Sequence, residues 1–207
     1  MKLTVTTQVS VDGVMQGNGP SEPDRKAGFE RDGWAMGHFG AESGAYVDQL
    51  YQRADAFLFG RRTYDFFAPY WGAMEPGTSP IADALNTKPK YLASTTVDEA
   101  DWRDTTVLSG DLATAVRALK ARPGGELQVH GSGALVRWLL EQGLVDEMNL
   151  LIVPVVVGAG TRLFPDTGRQ HALGLVESRA FPKGVTLQVY RLEENRDGGV
   201  GSEPTRS

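Results

Sequence analysis

Residues Glu126 to Phe164 read ELQVHGSGALVRWLLEQGLVDEMNLLIVPVVVGAGTRLF, and the fold turns on the join at Gly131-Ser132-Gly133. Leu127, Val129 and their neighbours read as a short buried strand, and from Ala134 to Gln142 the apolar residues Leu135, Trp138 and Leu139 recur at helical spacing. A helix that starts at such a turn presents unpaired backbone N–H groups and the positive end of its dipole, and the missing side chains let a phosphate approach the backbone. That chemistry suits a nucleotide cofactor, while a tight turn with Ser132 as an ordinary N-cap fits the same residues. The dinucleotide fingerprint is not met. Ala134, Leu135 and Val136 stand where a third glycine is required, and roughly 20 residues on lies Leu150-Leu151-Ile152-Val153 instead of an acid. Gly158-Ala159-Gly160 follows Pro154 and leads into Thr161-Arg162-Leu163-Phe164, not into a helix. A Rossmann domain does not fit; the cradle belongs to another α/β fold.

Working outward, Leu3 to Val11 reads as a first strand and Asp12 to Gly40 as a long, glycine-rich loop of the kind that serves as a lid or binding loop. Glu42 to Arg53 has helical spacing, Ala54 to Phe59 enters a strand ending at Gly60, and a helix starts at Arg61 and runs through Phe67. Ser79 to Leu85 reads as a helical turn, Lys90 to Ser94 and Thr105 to Leu108 as strands, and Leu112 to Ala121 as a helix closed by Pro123-Gly124-Gly125. This alternation predicts a mostly parallel sheet with helices on both faces. Beyond it, Glu147 to Val157 is apolar, and two alternating runs, Leu173 to Ala180 and Val185 to Leu192, flank Lys183-Gly184, which predicts antiparallel pairing and a mixed sheet. One domain over 1–192 and a disordered tail over 193–207 follow.

Composition bounds the function. The 207 residues carry a net charge of −5 and 41% hydrophobic side chains, enough for one sizeable core. The acidic balance argues against a nucleic-acid surface. The absence of cysteine excludes disulfides, thiolate catalysis and cysteine zinc sites. No apolar run is long enough for a signal peptide or a membrane span, so a cytoplasmic protein is expected. His38, His130 and His171 are scattered, so no metal site is expected.

Three strands end in small or polar residues, at Gly60-Arg61-Arg62-Thr63, Ser94-Thr95-Thr96 and Gly131-Ser132-Gly133. In an open α/β sheet ligands bind outside the carboxyl ends of the strands, so the three ends can line one extended ligand. Arg61 and Arg62 at a helix start oppose the helix dipole unless an anion compensates. Asp12-Gly13 suits a turn, His130 beside the cradle suits packing, and Trp34, Met36, Phe39 and Tyr46 suit either an aromatic substrate wall or a tether for the long loop, the wall being the preferred reading.

Ser10-Val11-Asp12-Gly13-Val14, Gly60-Arg61-Arg62-Thr63-Tyr64, Leu92-Ala93-Ser94-Thr95, Gly131-Ser132-Gly133 and the stretch Pro154 to Phe164 together resemble the dihydrofolate reductase-like superfamily. The branch resembled is that of the reductase domain of the bifunctional riboflavin-biosynthesis deaminase-reductase, over residues 1 to 192. The resemblance implies a mixed α/β sheet of about eight strands flanked by helices and ending in an antiparallel hairpin, with NADPH as cofactor. It implies that Gly60, Arg61, Arg62 and Thr63 hold the pyrophosphate and 2′-phosphate, and that Ser94 and Thr95 line the adenosine. Gly131, Ser132, Gly133 and Ala134 would wrap the phosphates, and Val11, Gly13 and Val14 would face the nicotinamide. It further implies a homodimer, for which the apolar run Leu150 to Val157 offers a surface, although burial in the core explains that run equally well.

Two departures concern the substrate. The acid that grips the pterin in a folate reductase falls, by spacing back from Gly60, at or near Gly44, with Glu42 and Asp48 flanking it. The arginine that grips the folate tail is replaced by Lys88, a point charge without the bidentate fork. The expected activity is therefore NADPH-dependent hydride transfer to a small heterocyclic or carbonyl substrate, with Asp12, Glu42 and Asp48 as candidate acids. A non-catalytic NADPH-binding protein and a folate-specific reductase are the alternatives.

Overall fold

A computed structural model describes residues 1–19, 24–25, 28–166 and 169–193. Its frame is an eight-stranded sheet in the order β4-β3-β2-β5-β1-β6-β8-β7. The strands are β1 (Lys2–Ser10), β2 (Ala54–Gly60), β3 (Lys90–Ala93), β4 (Thr105–Leu108), β5 (Glu126–His130), β6 (Glu147–Val153), β7 (Leu173–Ala180) and β8 (Thr186–Leu192). The first six run parallel, β8 pairs antiparallel with β6, and β7 pairs antiparallel with β8. This is the mixed sheet with a terminal hairpin that the sequence implies. Among the described residues five helices join the strands: α1 (Ala41–Arg53), α2 (Arg61–Trp71), α3 (Pro80–Thr87), α4 (Leu112–Lys120) and α5 (Gly133–Glu141).

Alternation along the strands decides which face each side chain meets. Leu3 and Val5 of β1, Leu58 of β2 and Leu127 and Val129 of β5 meet Val116, Leu119, Val136 and Leu139 of α4 and α5 in one core. The intervening Phe57 and Phe59 meet Tyr51, Tyr64 and Leu85 of α1, α2 and α3 on the other face. Buried aliphatic and aromatic side chains contribute about 1.5–3 kcal/mol each, so these two layers fix the sheet against its helices. The parallel strands consequently aim their carboxyl ends at one edge of the molecule.

Some boundaries differ from the sequence reading. Helix α2 continues past Phe67 to Trp71 despite Pro69; the edge contact of Phe67 with Trp71, at 6.3 Å between ring centres, holds the last turn in the second core. Of the run Leu150 to Val157, most side chains are core residues. Leu150, Leu151 and Val153 are buried because β6 lies between β1 and β8, and Val157 is buried against Val14 and Phe29. Val156, in the loop after β6, is 69% exposed, and on the edge strand β7 Leu175 and Val176 also face solvent. The long loop folds back on itself through Gly33 N–H to Gly17 O and Ala35 N–H to Asn18 O, and Asn18 Nδ2 donates to Gln8 Oε1 of β1 at 3.0 Å. The tail beyond Glu193 lies outside the described residues.

Candidate functional site

Strands β2 and β5 are neighbours, so the helices that follow them, α2 and α5, start side by side at the carboxyl edge. Both starts lack a side-chain cap and an acid in the first turn. The other three helices do not: α1 carries Glu42 and a capping box closed by Ser43, α3 carries Asp83, and Asp111 caps α4 by accepting the Ala113 and Thr114 amides. Among the described helices, only the two adjacent starts that the sequence singles out lack both a side-chain cap and a first-turn acid.

The two starts are stitched together. Gly60 N–H donates to Ser132 Oγ at 3.0 Å, and Ser132 N–H donates to Thr63 Oγ1 at 3.0 Å. Ser132 is therefore not the ordinary N-cap that its sequence position suggests. Its backbone is left-handed, φ 53°, directly after Gly131 at φ 59°, and the two left-handed residues turn its hydroxyl sideways to β2. A Cβ on Gly60 would lie 3.3 Å from Ser132 Oγ and would press on that contact. A Cβ on Gly133 would collide with Met15 Sδ and lie 3.2 Å from Arg137 Nη1. The backbone at Gly133 thus stands bare beneath a flexible thioether. These features fit a phosphate-bearing cofactor: bare amides in two directions, with cations nearby.

Each cation currently has a carboxylate. Arg61 Nε donates to both oxygens of Asp65, at 2.6 and 2.7 Å, one turn along α2. Arg62 pairs with Asp24 from the long loop. Both guanidinium groups remain substantially exposed. Ser94 Oγ accepts the Thr96 amide at 3.2 Å in an exposed turn after β3, and Thr95 is exposed.

The β1 edge closes the other side. Asp12 accepts the Ser10 hydroxyl at 2.6 Å and the amides of Val157 and Gly158 at 3.0 and 2.8 Å. Those donors, Ser10 foremost, pull its pKa down to about 2. Asp12 is an ionised clamp between the end of β1 and the loop after β6, a poor proton donor. Gly13, at φ 80°, forms the turn beside it, and Gly13 O accepts the Leu163 amide. Val11 is 62% exposed, but Val14 is 1% exposed and packs on Phe29 and Val157, so its side chain faces the core.

Three of the four residues expected as a wall or a tether make tethering contacts. Trp34, Phe39 and Tyr46 pack against the cluster of Leu151, Val153 and Phe181, and Trp34 Nε1 donates to Gln16 O at 2.7 Å. Met36 stands apart, 63% exposed. Glu42 is exposed and turned toward Arg179 at 3.6 Å, and Asp48 is half-buried on α1. Gly44 borders open space, where an added Cβ would meet nothing within 4 Å. Lys88 does not reach toward a substrate, because its ammonium donates to Tyr51 O and Gln52 O at the end of α1. His130 is buried, stacked on Tyr51 at 3.9 Å between ring centres, and bonded through Nε2 to Gln128. Burial lowers its pKa to about 3, so it is a neutral packing residue.

Met15, Gln16 and Arg137 were not singled out by sequence. Met15 and Gln16 occupy the long loop without a motif, and only the position of Arg137 one turn into the helix of the glycine cradle marked it. Among the described residues no group of histidines and carboxylates could hold a metal ion, and no helix is long and apolar enough to cross a membrane.

The model of the RibD C-terminal domain matches residues 1–187. The uncharacterized protein YyaP of Bacillus subtilis is 33% identical over 147 residues, covering 70% of this chain and 77% of that protein. YwjB of the same organism, also uncharacterized, is 25% identical over 76% of this chain and 85% of its own length. Among solved structures, a protein described as a riboflavin biosynthesis protein from Shewanella sp. PV-4 superposes with a TM-score of 0.72 at 20% identity, over 94% of this chain and all of that one. A pyrimidine reductase-like protein from Corynebacterium diphtheriae gives 0.63 at 17% identity, over 94% and 92%. At those identities the two structures establish the fold, which is dihydrofolate reductase-like.

Proposed function

The chain belongs to the RibD C-terminal domain family, a family of NADPH-dependent reductases, and from that premise we propose that it transfers hydride from NADPH to a small heterocyclic or carbonyl substrate. The observation that carries the reading is the pair of uncapped helix starts joined through Gly60, Thr63 and Ser132. The amides of α2 and α5 would hold the pyrophosphate, and Arg61 or Arg62 with the Thr63 hydroxyl would hold the 2′-phosphate. Ser94 and Thr95 would border the adenosine. The backbone at Val11, Gly13 and Val14 would line the nicotinamide, fixed in place by the Asp12 clamp. The cofactor supplies the hydride when bound; the protein supplies orientation and a water-poor wall.

The acids of this cleft disfavour folate as the substrate. Gly44 is bare, Glu42 turns outward to Arg179, Asp12 stays ionised and Lys88 is engaged elsewhere. The same inventory favours the second reading, a nucleotide-binding protein without turnover, since none of these groups is poised to donate a proton. Following NADPH absorbance with dihydrofolate, pterins, pyrimidine precursors of riboflavin and quinones separates the two. Oxidation of NADPH with a heterocyclic or carbonyl member supports the reductase; tight NADPH binding with no oxidation across the panel favours the second reading.

A further inference from the structure

The first helix start holds an acid that its own segment does not contain. Gly60-Arg61-Arg62-Thr63 has none, yet Asp24, 38 residues away in the long loop, pairs there with Arg62. The carboxylate is only 9% exposed, whereas Arg62 is 68% exposed and can turn to another anion. Asp24 is also anchored from behind. Gln16 Oε1 accepts the Thr161 amide at 2.9 Å, and a backbone N–H can meet only the oxygen of a side-chain amide. Gln16 therefore presents Nε2 to Asp24 Oδ1, at 2.9 Å. Asp24 O accepts the Phe29 amide at 2.9 Å and Gln16 O accepts Trp34 Nε1 at 2.7 Å, which ties both residues to the apolar cluster of Val14, Phe29 and Val157.

The second ion pair at this helix start is of another kind. Arg61 and Asp65 lie one turn apart on α2, 45% and 50% exposed, where solvent screens their attraction and either side chain can rotate away. An anion approaching Arg61 meets a carboxylate that can leave. One approaching Arg62 meets a carboxylate fixed in place. A phosphate that engages Arg62 must share it with Asp24 or take it, and in both cases two like charges stand close together. A ribose with a bare 2′-hydroxyl brings no charge to this position and leaves the Arg62–Asp24 pair as it is.

We propose that Asp24 is a specificity-determining residue for the cofactor: it competes with the 2′-phosphate for Arg62 and so lowers affinity for NADPH without lowering affinity for NADH. This role depends on the first helix start taking the 2′-phosphate, as proposed for the cofactor. It adds that the preference for NADPH is held below what the arginine alone would give.

Asp24→Asn keeps the size of the side chain and an acceptor for Gln16 but removes the charge. Fluorescence titration at constant ionic strength should show NADPH binding ~5-fold or more tighter than in wild type, with NADH within about twofold. Asp65→Asn, in the exposed pair, should move NADPH by less than about twofold. Asp24→Ala, which lacks the carboxylate altogether, should shift in the same direction as Asp24→Asn, and circular dichroism checks the fold of both. A wild-type preference for NADPH that neither Asp24 substitution widens, equal gains for both cofactors, or unfolding of both variants would overturn the role of Asp24 and leave the 2′-phosphate reading standing. Failure of wild type and variants alike to bind NADPH, or to distinguish it from NADH, would overturn both.

Discussion

The helix starts at Gly60–Thr63 and at Gly131–Ala134 lie on neighbouring strands, lack caps and share two hydrogen bonds, yet they are built differently. The first has an extended N-cap, φ −82°, and two arginines; the second has two consecutive left-handed residues and no charge. One start supplies cations, the other supplies shape. A bare left-handed turn can accept any phosphate that approaches its amides. Discrimination between phosphates has to come from the arginines, and each of those is held by a carboxylate, Asp65 or Asp24, that an incoming phosphate would displace.

The largest effect expected from breaking this division is on shape. Gly133→Val should weaken NADPH by ~100-fold or more, about 2.7 kcal/mol, by filling the approach to the α5 amides. The fold should survive, since the colliding neighbours are the flexible ends of Met15 and Arg137. Gly131→Val should lose cofactor too, with an added loss of stability from its φ of 59°. Fluorescence titration with NADPH and circular dichroism check both; unaltered NADPH affinity in Gly133→Val would remove the second start from the cofactor site.

A smaller effect is expected from cutting the stitch. Ser132→Ala leaves the part-buried Gly60 amide without its acceptor, which should cost about 1–3 kcal/mol of stability in urea denaturation. NADPH should weaken only severalfold, because the amides themselves remain. A loss as large as that of Gly133→Val would mean that the two starts do not divide the work.

The last effect, on stability and not on cofactor affinity, is a pH dependence rooted beside the second start. His130 titrates near 6.5 when unfolded and near 3 when folded, so the unfolded chain takes up the proton first. Its contribution is fully present above about pH 6.5 and declines as pH falls toward 3. Asp12 acts in the same direction lower down, present above about 3.8 and lost toward 2. Urea unfolding at pH 7.5 and 5 should show lower stability at pH 5, and His130→Phe, which cannot take up that proton, should reduce the difference. An unchanged difference in that variant would place the acid sensitivity elsewhere.

What was legible in the sequence was local. Glycines at the ends of apolar runs and a period of two or 3.6 residues marked the strands and both helix starts, because such signals depend only on near neighbours. The contacts that assemble the site join ordinary residues far apart in the chain. Ser132 has the chemistry of a cap, but its partner is Gly60, 72 residues away. Met15 over Gly133 and Asp24 on Arg62 carry no motif at all. Likewise an apolar run reads the same in a central strand and in an exposed one, which is why the run through β6 fitted both a surface and a core position.

The most direct test of the account is the relative affinity of the wild-type protein for NADPH and NADH, measured with Arg61→Ala and Arg62→Ala alongside. Charge-assisted hydrogen bonds to the 2′-phosphate contribute roughly 1.5–3 kcal/mol each, so NADPH should bind at least ~10-fold more tightly than NADH. One of the two substitutions should erase most of that margin while NADH affinity stays nearly constant. Equal affinity for the two cofactors in the wild type, or equal losses for both in each variant, would contradict the assignment of charge to the first helix start and shape to the second.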